Sequence, residues 1–135
     1  MKTFDVQGIA LAVPRDTAFA FVADPSTLPR WTEAFESVED GRAVMRTPRG
    51  AVSIGLRVDS SAALGTVDWR MTFPDGTVAA AYSRLVGLDD RRCVLTFVLT
   101  PPPVPLEELE GALEAQSATL RKELASLKRI LEQRA

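Results

Sequence analysis

The sequence predicts an α+β fold: a curved antiparallel sheet of six or seven strands around one long C-terminal helix, with two short helices after the first strand. Three observations predict it. Residues 3–13, TFDVQGIALAV, alternate like a strand and lead into a short helical segment. From residue 35 onward, short β segments alternate with turns rich in Gly, Asp and Pro. From residue 106 onward, leucines recur at helical spacing to the end of the chain. An antiparallel sheet needs cover on one face, and only the terminal helix is large enough to supply it.

Taken in order, Pro14 ends the first strand and RDTAFAFVA (15–23) forms a short helix with Ala18, Phe19 and Val22 on one face. Asp24 suits an N-cap, with Pro25 at the first helical position. Pro29 disfavours helix at Leu28, so residues 24–34 read as a turn of helix, a kink and another turn. The turn signals EDGR (39–42), TPRG (47–50), SSAALG (60–65), PDG (74–76) and GLDDRR (87–92) then separate the strands of a meander. The run PPPVP (101–105) halts the last strand, because successive prolines cannot donate to a ladder.

The helix that follows spans about Leu106 to Gln133. Leu106, Leu109, Leu113, Leu120, Leu124, Leu127 and Leu131 mark its apolar stripe, interrupted by Ser117. Glu107, Glu108 and Glu110 at its start and Lys128, Arg129 and Arg134 near its end favour the helix dipole. The stripe comes close to a coiled-coil heptad, but a helix gripped by a sheet carries the same stripe. At about 1.5 Å per residue it spans roughly 42 Å, which leaves room for its last turns to project and form a homodimer.

At 135 residues the chain reads as a single domain, 1–135, long enough for a real core. The net charge of −2, with acids and bases interspersed, gives no basic face for nucleic acid. No apolar run reaches the ~20 residues that span a bilayer, so stable membrane insertion is not expected. The N-terminus lacks the pattern of a signal peptide. The lone Cys93 excludes an internal disulfide, fits a reducing, cytoplasmic setting, and reads as a buried small hydrophobe.

The chain contains no histidine. That removes Ser-His-Asp and Cys-His nucleophile activation and the usual zinc and iron ligand sets. No Walker loop or GxGxxG occurs, and the carboxylate clusters Glu107/Glu108/Glu110 and Asp89/Asp90 suit a helix start and a turn. No catalytic residue, metal or cofactor is expected, and an enzyme is the less favoured reading.

The order of elements, with VPRDTAFAFVADPSTLPRW after the first strand and TPPPVPLEELEGALEAQSATLRKELASLKRIL at the end, resembles the START-like superfamily. More narrowly it is similar to the polyketide cyclase/dehydrase and lipid-transport group, also called SRPBCC. The resemblance covers nearly the whole chain. It implies a helix-grip (Bet v 1-like) fold with a cavity between sheet and C-terminal helix, and it implies no single function. It also implies that the proline-broken segment 24–34 caps one end of the grip, with Trp31 packed beneath it.

Strand alternation suggests which residues would meet such a cavity. Val52, Ile54, Leu56 and Val58 share one face of their strand, with Ser53, Arg57 and Asp59 on the other. Val67, Trp69, Met71 and Phe73 face inward on the next, with Asp68, Arg70 and Thr72 outward. A three-residue hairpin at FPDGT, with Gly76 left-handed, sets Phe73 opposite Thr77. By counting, Met71 faces Ala79, Trp69 faces Ala81, Val67 faces Ser83 and Asp68 meets Tyr82 outside. A slip of one residue would bring Tyr82 and Arg84 inside. Large residues thus oppose small ones, and the first half of the helix is small as well (Gly111, Ala112, Ala115, Ser117, Ala118).

The expected wall is therefore Trp69, Met71, Ile54, Leu56, Ala81, Phe97 and Leu113, with Ser83 and Ser117 as rare polar contacts. The expected function is binding of a small hydrophobic molecule such as a lipid, quinone or polyketide-like compound. One alternative is a polyketide cyclase or aromatase, which requires an inward Tyr82 or Arg84. Another is a co-chaperone-like interaction module, which predicts a collapsed cavity and an exposed apolar patch.

Overall fold

A computed structural model describes residues 3–47, 50–100 and 109–134. The proline run 101–105, Leu106, Glu107, Glu108 and the middle of the 47–50 turn lie outside the described residues. The elements are β1 (Asp5–Leu11), α1 (Arg15–Val22), a 3₁₀ turn (Pro25–Thr27), α2 (Leu28–Trp31), β2 (Phe35–Glu39), β3 (Arg42–Thr47), β4 (Gly50–Ser61), β5 (Thr66–Thr72), β6 (Val78–Asp89), β7 (Arg92–Leu99) and α3 (Leu109–Arg134). The seven strands form one antiparallel sheet in the order β1-β7-β6-β5-β4-β3-β2. All strand pairs except β1–β7 are sequential hairpins, as a meander requires.

Turn chemistry sets the register. In EDGR, Asp40 (φ 45°) and Gly41 (φ 77°) are both left-handed, which is the two-residue hairpin matched to strand twist. In FPDGT the Gly76 N–H donates to Phe73 O and the Phe73 N–H to Thr77 O, both at 2.9 Å, with Gly76 at φ 90°. The pairs Met71–Ala79, Trp69–Ala81, Val67–Ser83 and Asp68–Tyr82 follow as counted. Tyr82 and Arg84 are therefore on the outer face, exposed. The GLDDRR turn is shorter than expected. β6 continues to Asp89 past an irregularity after Gly87, and Asp89 accepts from Arg92 at 2.8 Å to close a tight reversal.

The segment after β1 also departs in detail. On α1 the buried residues are Ala18, Phe21 and Val22, while Phe19 is only partly covered. Asp24 caps as expected, its carboxylate accepting from the Ser26 N–H at 3.0 Å. Leu28, however, is helical (φ −51°, ψ −45°) despite the proline that follows. Pro29 sits in the first turn of α2, where a missing N–H costs nothing because that donor has no intrahelical acceptor. Thr27 ties the kink together, its hydroxyl donating to Phe21 O and Asp24 O at 2.8 Å each.

One core joins the inner sheet face to the helices. Leu11, Ile54, Val67, Leu85, Cys93 and Leu95 from the strands meet Leu120, Leu124, Leu127 and Leu131 from α3, all nearly inaccessible. Fully burying one such leucine is worth about 2 kcal/mol. The last turns of α3 do not project. Leu127 and Leu131 are buried, Lys128 donates to Ala10 O at 2.9 Å, and Glu132 accepts from the Ala12 N–H at 2.8 Å. Gln7 adds a third tie, donating to Ser117 O at 2.8 Å. The helix is thus fastened along the edge strand β1, and the stripe that resembled a heptad is used within the chain. Among the described residues no helix is long and apolar enough to cross a membrane.

Candidate functional site

Between the inner sheet face, α2 and the middle of α3 lies a cavity of about 620 Å³. This is within the range that holds a small organic molecule. The sheet supplies Phe35 and Met45, then Trp69, Met71 and Phe73, then Ala79, Ala80 and Ala81, then Phe97 and Leu99. The lid supplies Leu28 and Trp31, and α3 supplies Ala115, Gln116, Thr119, Leu120 and Glu123. The space exists because the β5–β6 register sets Trp69 and Met71 against alanines, so neither wall fills the gap.

The aromatic groups form one stack. Trp69 lies nearly parallel to Phe97 with ring centroids 5.3 Å apart, and Trp31 meets Trp69 edge-on at 6.4 Å and 61°. Trp31 and Trp69 are both 3% exposed. Their indole N–H groups are buried and lack a hydrogen-bond partner. Leaving a buried donor unmatched costs about 1–3 kcal/mol.

Polar groups gather where the α2–β2 link crosses α3. Glu123 Oε2 accepts the Glu33 N–H at 2.7 Å, and the Ala34 N–H also points to this carboxylate. Arg46 donates to Glu33 O at 2.9 Å, and its N–H to Ala34 O at 2.7 Å. Burial of the largely covered Glu123 carboxyl pushes it up to about 7. The two N–H groups pull it down and the Glu33 carboxylate adds a smaller push upward. An acid that exchanges its proton near neutrality therefore sits on a mainly apolar wall.

Of the expected site residues, Trp69, Met71, Ala81 and Phe97 lie together on the cavity wall. Ile54, Leu56, Ser83, Leu113 and Ser117 lie off it. Ile54 and Leu56 are closed into the core. Ser83 is buried and its hydroxyl donates to Val67 O at 2.7 Å. Leu113 is buried, and the Ser117 carbonyl is engaged by Gln7. The reason is the phase of α3: its leucine stripe faces the core, and the neighbouring stripe through Gln116, Thr119 and Glu123 faces the cavity. That stripe, Glu123 above all, escapes a reading keyed to leucines. A carboxylate three residues after Leu120, on the flank of the stripe, was the available signal. Cys93 is buried on the inner face of β7, and desolvation raises its thiol above the ordinary range.

No protein-family model matches the sequence, and no curated protein matches it. Solved structures do match. A START superfamily protein from Mycobacterium smegmatis superposes with a TM-score of 0.72 at 14% identity, over 99% of this chain and 100% of the other. The fold is START-like. The Zhui aromatase/cyclase from Streptomyces sp. R1128 gives 0.69 at 19% identity, covering 97% and 94% of the two chains. The di-domain ARO/CYC BexL from the BE-7585A biosynthetic pathway gives 0.72 at 17% identity, over 98% of this chain and 47% of BexL. At such identities the START-like likeness concerns architecture: a seven-stranded antiparallel sheet, short helices after β1 and a long C-terminal helix.

Proposed function

We propose that the protein binds a small hydrophobic molecule in the cavity between its sheet and α3. The observation that carries this reading is the volume of about 620 Å³ lined mainly by aromatic, methionine, leucine and alanine side chains. Interiors ordinarily close such gaps, so a space kept open by a ladder of alanines facing Trp69 and Met71 suits an occupant. Trp69, Met71, Ala81 and Phe97 are its proposed contacts, joined by Trp31, Leu120 and Glu123. We further infer a cytoplasmic setting, in keeping with the single buried thiol. Native mass spectrometry of freshly purified protein, with thermal shifts against lipids, quinones and flat polycyclic compounds, tests the reading. Consistently empty protein with no shift against any of them overturns it.

A second reading, an aromatase/cyclase-type enzyme, draws on two of the similar structures and on Glu123. The expected polar groups Tyr82 and Arg84 face outward and cannot serve. Glu123 instead offers a carboxyl able to give or take a proton near neutral pH inside an apolar cavity. Turnover of a poly-carbonyl substrate that Glu123→Gln abolishes, without loss of binding, would select this reading. The interaction-module reading called for a collapsed cavity and an exposed apolar patch; the cavity is open, while Val6, Tyr82, Val86 and Leu88 are exposed.

A further inference from the structure

The polar side chains on the cavity wall are not spread evenly. The sheet presents mainly apolar groups, Trp69, Met71, Phe73, Ala81, Phe97 and Leu99 among them. On α3 the balance is reversed. Successive residues turn by about 100° around a helix. Counted from Ala115, Thr119, Glu123 and Gln116 fall at about 40°, 80° and 100°, and Leu120 at about 140°. All five line the cavity, so the three polar residues hold the middle of the arc that faces it. Their cover differs: Gln116 is exposed, Thr119 is partly covered and the Glu123 carboxyl is largely buried.

These groups keep hydrogen-bonding capacity that their neighbours do not. The Thr32, Thr47 and Thr100 hydroxyls on the same wall donate to Leu28 O, Gly50 O and Ala80 O at 2.7, 2.7 and 2.8 Å. Among the described residues no hydrogen bond engages the Gln116 amide or the Thr119 hydroxyl. Glu123 receives the Glu33 N–H and the Ala34 N–H points to it, whereas a carboxylate has room for about four partners. An amide and a hydroxyl each donate and accept, and Glu123, which exchanges its proton near neutrality, does both in turn. The neutral group that answers all three is a hydroxyl. A charged group would have to shed its water against the apolar sheet.

We propose that the ligand is an elongated apolar molecule with hydroxyl groups along one edge only, and that this edge lies against Gln116, Thr119 and Glu123 while the bare edge meets the sheet. This rests on the hydrophobic-ligand reading above and narrows it. Thr119 and Glu123 stand one turn apart, about 6 Å along the helix axis, so two hydroxyls on one long edge can reach both. Hydroxyls on opposite edges force one of them onto Trp69, Ala81 and Phe97, where it leaves water for no partner.

The test uses one ring system in three forms: 2,7-dihydroxynaphthalene, with both hydroxyls on one long edge, its 2,6 isomer, with one on each, and naphthalene itself. Each is titrated into the full-length protein and followed by NMR. The 2,7 isomer is expected to bind at least ~10-fold more tightly than the 2,6 isomer, a difference of about 1.4 kcal/mol. In its complex the ring protons between the two hydroxyls should give Overhauser contacts to the Thr119 methyl group, and those on the bare edge to Ala81 or Phe97. Thr119→Val keeps the shape and removes the hydroxyl, and should bring the ratio between the isomers below about twofold. Lost packing would weaken both isomers alike, so the ratio reads the hydroxyl. Because the Overhauser contacts are read on unaltered protein, a variant that fails to fold does not shield the claim. Equal affinity for the two isomers, or a 2,7 isomer whose hydroxylated edge meets Phe97, overturns this inference alone. Binding of none of the three overturns it together with the reading on which it rests.

Discussion

Trp69 and Ala81 face each other across the β5–β6 ladder, both nearly buried and both on the cavity wall. The void beside the indole exists because a methyl group stands where a larger side chain would reach it. Ala81→Leu should therefore extend into empty space. Stability is expected to change by less than about 1 kcal/mol, since filling a void offsets the strain of a larger residue. Affinity for the hydrophobic compound that gives the largest thermal shift should fall at least ~10-fold. Chemical denaturation and a fluorescence titration measure the two effects. A loss of several kcal/mol would mean that no void adjoins Ala81.

Tyr82 and Arg84 alternate with the cavity-facing residues of β6 and point away from it. Tyr82→Phe and Arg84→Ala should alter ligand affinity by less than about twofold and stability by about 0.5 kcal/mol or less. A tenfold loss of affinity in either variant would refute the register of β6.

The register was legible because local chemistry dictates it. FPDGT admits one compact hairpin with Gly76 left-handed, and every β5–β6 pair follows by counting. The long helix was legible from its leucines. Which flank of the leucine stripe meets the cavity was not, because Gln7, Lys128 and Glu132 fix the helix against β1 through contacts distant in sequence. Ser83 and Ser117 looked like rare polar contacts for a ligand. Instead the Ser83 hydroxyl donates to Val67 O, and Ser117 lies on the side of α3 where Gln7 of β1 donates to its main-chain carbonyl. Leu28 was misjudged because the penalty before a proline is a bias, and the first turn of a helix forgives it.

Gly65 offers a test of the frame that holds the β4–β5 turn. It lies at φ 74°, its carbonyl accepts the Leu85 N–H at 2.8 Å, and a methyl group there would stand 2.3 Å from Leu85 O. Arg15 from α1 also packs there, donating to Ala62 O at 2.5 Å. Gly65→Ala should cost about 3 kcal/mol, from backbone strain and the clash together. Gly76→Ala, at φ 90° but in open space, should cost only about 1 kcal/mol. Equal losses in urea denaturation would show that Gly65 is not crowded.

Glu123 should make stability depend on pH in an uncommon direction. Its carboxyl is raised from 4.5 to about 7 in the folded protein, so between those values the folded state holds a proton that the unfolded state has released. Stability must then fall as pH rises through this window, with a slope of at most about 1.4 kcal/mol per unit. Because the group is largely covered, the total loss across the window is on the order of 3 kcal/mol at most. Asp75, Asp89 and Glu132 are shifted downward and act at lower pH, and the absence of histidine keeps imidazole out of the window. Glu123→Gln keeps an acceptor for the Glu33 N–H and removes the proton. Its stability should be nearly flat from pH 5 to 7.5, and at the upper end it should equal or exceed that of the parent protein. Urea denaturation at half-unit steps of pH measures both curves. Parallel curves would show that the Glu123 carboxyl titrates in the ordinary range and that its setting in the cavity wall is wet.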